Sequence, residues 1–249
     1  MTRLQLHYFS IIPEFVSAAV QEGCTLKTLQ LYENRLSIDD AQQLAILMEQ
    51  SKSLETIILN DCEIDCSAAK VLARGLENST TLTTMNVWDN CIGEEGGRAL
   101  AMALEKNETL TTLNLWGNRI GNEGAKAFAQ MLRTNTTLRD LIFVYNEIGD
   151  EGGDELVDAL GCSSVKNGGS IRNLDLFGNP LDPVIITEVY AAIGGLSNGR
   201  EDDDDAWRGV ELDKGCFGGG GGGVDAESTD SPTGVEEVSG CCWTTVVMN

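Results

Sequence analysis

The chain has 249 residues, 42% of them hydrophobic, and a formal net charge of −22. This apolar content is enough for a sizeable core in one or two domains. The acidic balance argues against nucleic acid or an anionic membrane surface as the partner, because both attract clusters of Lys and Arg. It favours partners with basic surfaces.

The cysteine and histidine content argues against a metal site. Eight cysteines show no regular pairing pattern, and His7 is the single histidine, so we expect reduced thiols, no metal and no cofactor. No apolar run approaches the roughly 20 residues of a membrane helix. Polar residues also interrupt any signal-peptide core near the N-terminus, and we expect a cytoplasmic or nuclear protein.

The first 25 residues are predicted to form a shortened version of the repeat that follows. Leu4 and Leu6 are typical of a short strand, and Pro13–Val20 of a helix with proline in its first turn. Terminal units of stacked repeats are often atypical, because they cover the end of the core.

From residue 26 the chain repeats the pattern L-x-x-L-x-L-x-x-N/C-x-L. The pattern starts at Leu26, Leu54, Leu82, Leu110, Leu138 and Ile171. The first five starts are 28 residues apart and the last interval is 33 residues, so we place an insertion within 161–170. Segments 81–108 and 109–136 are identical at 15 of 28 positions. A period of this size predicts stacked structural units.

Each unit is predicted to contain one strand and one helix. The predicted strands are Thr28–Tyr32, Thr56–Asn60, Thr84–Trp88, Thr112–Trp116, Asp140–Val144 and Asn173–Phe177. Their Leu-type residues point inward and the residues between them point outward, because strand side chains alternate. Apolar residues at helical spacing follow each strand, and the final helix is predicted at Val184–Ile193.

The polar anchor of the pattern is predicted to have a structural role. It is occupied by Asn34, Cys62, Asn90, Asn118, Asn146 and Asn179. A chain that leaves a strand sharply exposes N–H and C=O groups inside the stack, and a buried amide can satisfy both kinds. We expect these side chains to form a ladder across the repeats.

These motifs resemble the leucine-rich-repeat superfamily, and the phrasing WGNRIGNEGAKAFAQ resembles its ribonuclease-inhibitor-like branch. The resemblance covers about residues 4–196. It implies an α/β solenoid: a curved arc with a parallel sheet on its concave face and helices on its convex face. We assign residues 1–196 to this domain.

Residues 197–249 differ in composition from the repeats. They contain the acidic run 201–205 and six consecutive glycines at 218–223. Such a segment cannot bury enough apolar area to fold alone, so we predict a disordered acidic, glycine-rich tail.

The outward strand positions predict a partner-binding surface, because stacked strands place equivalent residues about 4.8 Å apart. One column reads Tyr32, Asn60, Trp88, Trp116, Val144, Phe177, and the next reads Glu33, Asp61, Asp89, Gly117, Tyr145, Gly178. Aromatic residues are common binding hot spots, and acidic residues attract basic partners. We predict that a protein with a basic or apolar segment contacts Tyr32, Asp61, Trp88, Asp89, Trp116, Tyr145 and Phe177. The alternative is that the rings only stack on one another.

The sequence offers little for catalysis. The glycine run has neither the lysine nor the helix of a phosphate-binding loop, and one histidine near the chain start cannot serve a catalytic triad. We therefore predict a non-catalytic interaction scaffold. The alternative is a resemblance to the activators of the nuclear-transport GTPase Ran, which implies a GTPase-activating role for Asn34 with Arg35 or Asn118 with Arg119.

Overall fold

The structure, a computed structural model, describes residues 2–7, 13–21, 23–161 and 171–194. The strands in these ranges are β1 (Arg3–His7), β2 (Thr28–Tyr32), β3 (Thr56–Asn60), β4 (Thr84–Asn86), β5 (Thr112–Asn114), β6 (Asp140–Ile142) and β7 (Asn173–Asp175). The helices are α1 (Pro13–Ala19), α2 (Ile38–Gln50), α3 (Cys66–Asn78), α4 (Gly93–Leu104), α5 (Gly121–Leu132), α6 (Asp150–Gly161) and α7 (Pro183–Ala192). The predicted tail and most of the predicted insertion lie outside the described residues.

The seven strands form one parallel sheet in chain order, from β1 to β7. Equivalent residues of successive repeats pair with each other, so that Thr56 pairs with Thr84 and Thr84 with Thr112. The N-terminal unit joins the same sheet, with Leu4 opposite Leu29. The predicted α/β solenoid of alternating strands and helices is confirmed.

The core lies between the sheet and the helices. From β2 to β7 the inward strand side chains are buried, as at Leu113 and Leu115 on and just after β5. From the other side α5 contributes Phe128, whose ring meets that of Phe143 edge-on at a centroid distance of 4.9 Å. None of the helices in the described ranges is long and apolar enough to span a bilayer.

A second ladder of polar side chains lines the turns that lead from α4 to β5 and from α5 to β6. Asn107 Nδ2 donates to the Leu76 carbonyl at 2.7 Å, and Asn107 Oδ1 accepts from the Leu110 N–H at 2.8 Å. One repeat later, Asn135 makes the equivalent bonds with Leu104 and Leu138. These asparagines, both buried, hold successive repeats together.

Strands β4 to β7 end two residues earlier than the period-2 pattern predicts, so the predicted ends at Trp88, Trp116, Val144 and Phe177 were wrong. Side chains replace the missing strand bonds. Asn90 Nδ2 donates a hydrogen bond to the carbonyl of Leu59 on the preceding strand at 2.8 Å. The N–H of Trp88 donates instead to Asn86 Oδ1, two residues earlier, at 3.2 Å.

Candidate interaction surface

Four aromatic rings form a continuous row on the open face of the sheet, the face that points away from the helices. The centroid distances are 5.8 Å from Trp88 to Trp116, 6.0 Å from Trp116 to Tyr145 and 5.8 Å from Tyr145 to Phe177. We call Trp88, Trp116, Tyr145 and Phe177 the aromatic row. Trp88 and Trp116 are half-buried, whereas Tyr145 is 50% and Phe177 64% exposed.

The row does not follow the first predicted column throughout. At β6 that column holds Val144, which is buried, and the neighbouring Tyr145 supplies the ring instead. At β3 it holds Asn60, which is also buried and lies opposite Tyr32 in the register. Asn60 therefore separates Tyr32, which is half-buried, from the aromatic row.

Short side chains two positions earlier fix the backbone of three of the four aromatic residues. Besides the bond between Trp88 and Asn86, the Trp116 N–H donates to Asn114 Oδ1 at 3.0 Å. The Phe177 N–H donates to Asp175 Oδ1, also at 3.0 Å. Such local side-chain bonds favour turns over continued strands, so they position the rings where the sheet ends.

The second predicted column is a row of left-handed turn residues rather than strand residues. Its φ angles are 52° at Glu33, 51° at Asp61, 53° at Asp89, 65° at Gly117, 51° at Tyr145 and 74° at Gly178. Strand alternation would turn these side chains inward. The left-handed conformation explains why two consecutive residues of one repeat both reach the open face.

At Tyr145 the left-handed conformation strains the backbone and brings the ring onto the open face. A bulky residue at positive φ is uncommon and strained. Its ring lies over the backbone of Gly178, where an added Cβ would collide with it. Glycine in the last repeat is therefore what allows Tyr145 to join the aromatic row.

An acidic pocket of about 300 Å³ borders the aromatic row. It is lined by Asp61, Glu63, Asp89, Asn90, Cys91, Gly117, Arg119, Tyr145 and Glu147. Partial desolvation raises the pKa of the Asp61 carboxyl, and the charges of Asp89, Glu33 and Glu63 raise it further. The carboxylates thus repel one another, and a bound cation would relieve that repulsion.

The two arginines nominated for a GTPase-activating role lie near these carboxylates. Arg35 Nε pairs with Glu63 Oε2 at 3.0 Å, and Arg119 lines the acidic pocket. Carboxylates around a guanidinium oppose the approach of a phosphate. A GTPase-activating role stays a prediction from sequence alone.

Three of the predicted ladder asparagines make the side-chain hydrogen bonds that a sharp turn requires. Asn90 Oδ1 accepts from the N–H groups of Cys62 at 3.0 Å and Ile64 at 2.9 Å. Asn146 Oδ1 and Asn179 Oδ1 likewise accept a pair of N–H groups from the repeat that precedes each of them. These bonds account for the three asparagines structurally, without a ligand.

Asn34, Cys62 and Asn118 vary this arrangement. Asn34 Nδ2 donates to the carbonyl of Tyr32 at 2.9 Å. Cys62 Sγ donates to the carbonyl of Asn60 at 3.3 Å, and burial raises the pKa of this thiol to about 11, which keeps it protonated at neutral pH. Asn118 Nδ2 donates like its counterparts, but no described residue donates to its Oδ1. Within the described ranges, no group of three His, Cys, Asp or Glu residues could hold a metal ion.

A family profile and one solved structure agree with this architecture. A family profile described as Leucine Rich repeat matches residues 78–101, 106–129 and 134–157. A search of curated proteins found no match. A solved structure of the leiomodin-1 actin-binding site 2 is similar, with 20% identity, a TM-score of 0.54, and coverage of 64% of this chain and 88% of that chain. The tropomodulin C-terminal domain of Caenorhabditis elegans has 18% identity, a TM-score of 0.48, and coverage of 73% and 91%.

Proposed function

Because the chain is a leucine-rich-repeat protein, we propose that it works without catalysis, as a module that binds a partner protein on the open face of its sheet. The aromatic row is the contact surface. The partner contributes apolar side chains to the rings and basic side chains to the adjoining carboxylates.

The continuity and exposure of the aromatic row carry this proposal. Among the described residues six large hydrophobic side chains are exposed, and two of them, Tyr145 and Phe177, are neighbours in the row. Isolated exposed hydrophobic residues are ordinary, whereas contiguous ones mark interaction surfaces. Tyrosine and tryptophan are also enriched among the residues that dominate binding energies.

The charges beside the row support a basic partner. Asp61 and Asp89 are exposed next to the rings. Opposite charges at the rim of an interface steer the encounter and fix its register more than they add affinity. The apolar contact therefore supplies most of the affinity, and the carboxylates select partners whose segment carries positive charge.

The test uses substitutions that the chain itself accepts at equivalent positions. Tyr145→Gly copies Gly117 and Gly178, which share its left-handed backbone. Phe177→Val copies Val144, the residue of the preceding repeat in the same column. The double variant removes both exposed rings from backbone positions where glycine and valine already occur.

The control variant is Met102→Ala/Val184→Ala, which removes two apolar side chains that are 58% and 61% exposed on α4 and α7. Each purified protein serves as bait for cell extract, and retained proteins are identified by mass spectrometry. Purified actin is tested in parallel, because the similar leiomodin-1 structure is an actin-binding site. We expect a partner that binds the wild type and the control but not Tyr145→Gly/Phe177→Val. Equal retention by all three proteins would contradict the proposal.

A further inference from the structure

The main chain of the aromatic row is already hydrogen-bonded within the protein. The N–H groups of Trp88, Trp116 and Phe177 donate to the side chains two positions earlier. The Tyr145 N–H donates to the Phe177 carbonyl at 3.0 Å. The carbonyls of Trp88 and Trp116 also accept backbone N–H groups from the preceding repeat. The four residues therefore present their rings, and no unpaired N–H group, to an incoming chain.

These internal hydrogen bonds restrict the conformation of a segment that binds along the row. An extended strand that binds through its main chain needs unpaired N–H and C=O groups on the surface it meets. An α-helix satisfies its own main-chain groups. A polyproline II helix has no internal hydrogen bonds and keeps its main chain in water. The row therefore suits one of the two helical forms better than a strand.

The width of the row favours the polyproline II helix over the α-helix. On the strand side the row is bordered by Asn114 and Asp175, whose side chains accept from the backbone of ring residues. On its other side lie Asp89 and the acidic pocket. The apolar strip is thus one ring wide. An amphipathic α-helix buries an apolar stripe at least about 100° wide, whereas proline-rich segments dock along narrow, aromatic-lined surfaces.

We propose that the aromatic row binds a proline-rich segment of the partner protein in polyproline II conformation, with a basic residue of that segment at the acidic pocket. This inference rests on the proposed function and names the kind of segment that the partner contributes. The prolines pack on the rings. Tyr145 belongs to both the row and the pocket, so one short segment contacts the rings and the carboxylates together.

The period of a polyproline II helix fits the row and the pocket at the same time. The helix has three residues per turn and rises about 3.1 Å per residue, so one turn is about 9 Å long. The three centroid intervals of the row, each 5.8–6.0 Å, have room for about two turns. Two of every three residues can then face the rings, while the third points sideways toward Asp61 and Asp89. The carboxylates that line the pocket outnumber its single arginine, which is complementary to a basic side chain at that third position.

The probes are synthetic peptides of equal length. The proline peptide is Pro-Pro-Leu-Pro-Pro-Arg-Pro-Pro-Leu, with its basic residue near the centre so that either chain direction can fit. The alanine peptide replaces every proline with alanine, which favours an α-helix. The strand peptide, Thr-Val-Thr-Leu-Arg-Leu-Thr-Val-Thr, has the same charge and favours an extended strand. The citrulline peptide is the proline peptide with citrulline in place of arginine, which keeps the shape and removes the charge.

Affinities are measured by fluorescence anisotropy with the full chain and with three variants. Tyr145→Gly/Phe177→Val removes the exposed rings, and Asp61→Asn/Asp89→Asn removes two charges beside them. Asparagine keeps the size of aspartate and tolerates the left-handed backbone of both positions, so this variant should fold. The third variant is the control with alanine on α4 and α7. Thermal denaturation checks the folding of each protein.

The wild type and the control are expected to bind the proline peptide about 10-fold more tightly than the alanine and strand peptides, because a segment that is already ordered loses less entropy on binding. Tyr145→Gly/Phe177→Val should bind the proline peptide about 10-fold more weakly than the wild type, as loss of hot-spot rings implies. Citrulline should weaken binding to the wild type by about 3-fold, since charges at the rim contribute modestly. That difference should disappear in Asp61→Asn/Asp89→Asn.

Equal or tighter binding of the alanine or strand peptide by the wild type would overturn the polyproline II assignment. Absence of proline-peptide binding at about 1 mM peptide would also overturn it. If the tighter peptide still loses affinity for Tyr145→Gly/Phe177→Val, binding on the open face stands and only the conformation of the segment is wrong. If that variant binds the proline peptide as tightly as the wild type does, the proposed function fails as well. Equal binding of the proline and citrulline peptides by the wild type would contradict the role of the pocket.

Discussion

The two ends of the open face share one backbone conformation and carry opposite chemistry. At the β2–β4 end the left-handed position holds Glu33, Asp61 and Asp89, and at the β5–β7 end it holds Gly117, Tyr145 and Gly178. The first end is acidic around the enclosed Asn60, and Tyr32 and Trp88 are its aromatic residues. The second is aromatic, and its rings grow more exposed toward Phe177.

This contrast separates what the repeat fixes from what it leaves free. Main-chain conformation, inward leucines and amide ladders recur because each repeat must stack on the next. The side chains at the left-handed position and in the column before it are not required to be the same in every repeat for the repeats to stack. Differences between repeats at these positions are therefore where a specific binding surface can be built.

The largest expected effect distinguishes two kinds of buried asparagine. Asn146→Ala leaves the N–H groups of Asn118 and Ile120 without their acceptor and removes one of the two side-chain donors to the Leu115 carbonyl. Two unsatisfied buried N–H groups and one lost hydrogen bond should together lower the free energy of unfolding by about 3 kcal/mol or more. Urea denaturation measures this loss.

The matched change at the other end of the comparison is Asn60→Val, which removes an amide whose Oδ1 accepts no bond from the described residues. Its effect on the free energy of unfolding should lie within about 1 kcal/mol of zero. If Asn60→Val destabilised the protein as much as Asn146→Ala, Asn60 would be a structural residue and the contrast would break.

The aromatic end should depend on the glycine beneath Tyr145. In Gly178→Ala the new Cβ would collide with the Tyr145 ring, at a residue with φ of 74°. We expect a loss of about 1–3 kcal/mol in unfolding free energy and weaker partner binding, because the ring must move. Thermal denaturation and titration with the partner measure the two effects.

Gly117→Ala is the control for this glycine, since its φ is 65° but the nearest contact of an added Cβ is Asp89 Oδ1 at an ordinary 3.5 Å. It shares the backbone strain without the ring collision. Equal destabilisation and equal binding losses in the two variants would show that Gly178 has no particular role under Tyr145.

The smallest effect concerns charge at the acidic end. Because the folded pKa of Asp61 is raised, its ionisation disfavours the folded state, and stability is lost as pH rises from about 4 through that raised value. Asp61→Asn should therefore be slightly more stable than the wild type at pH 7, by less than about 1 kcal/mol for an exposed group, and equal to it below both pKa values. Thermal unfolding at pH 3 and pH 7 measures the difference; a variant less stable at pH 7 would contradict the stated repulsion.

Most of the fold was predictable because each position of the repeat holds residue types that favour a single structural role. Inward leucines recur in the positions of the sheet register, from Leu29 to Leu174. The ends of β4 to β7 were not predictable from alternation, since side chains such as Asn86 compete with the strand bonds. The residue types at the left-handed positions do indicate the turn, because Asp and Gly, as at Asp61 and Gly117, favour positive φ.

The candidate surface was predictable only in part. Trp88, Trp116 and Phe177 lie in the first predicted column and Tyr145 in the second, and Tyr145 joins the same row of rings through a strained turn that its residue type does not favour. The isolation of Asn60 depends on which donors surround it in three dimensions. A one-dimensional pattern does not contain that information.

The most direct measurement is a calorimetric titration of the purified partner into the wild type, Tyr145→Gly/Phe177→Val and Met102→Ala/Val184→Ala. Loss of both exposed rings of the aromatic row should weaken binding by about 30-fold or more, as hot-spot residues do. The control should change the Kd by less than about 2-fold, since scattered surface contacts contribute little. A Kd that is unchanged by loss of the rings, or weakened only in the control, would show that the partner binds elsewhere.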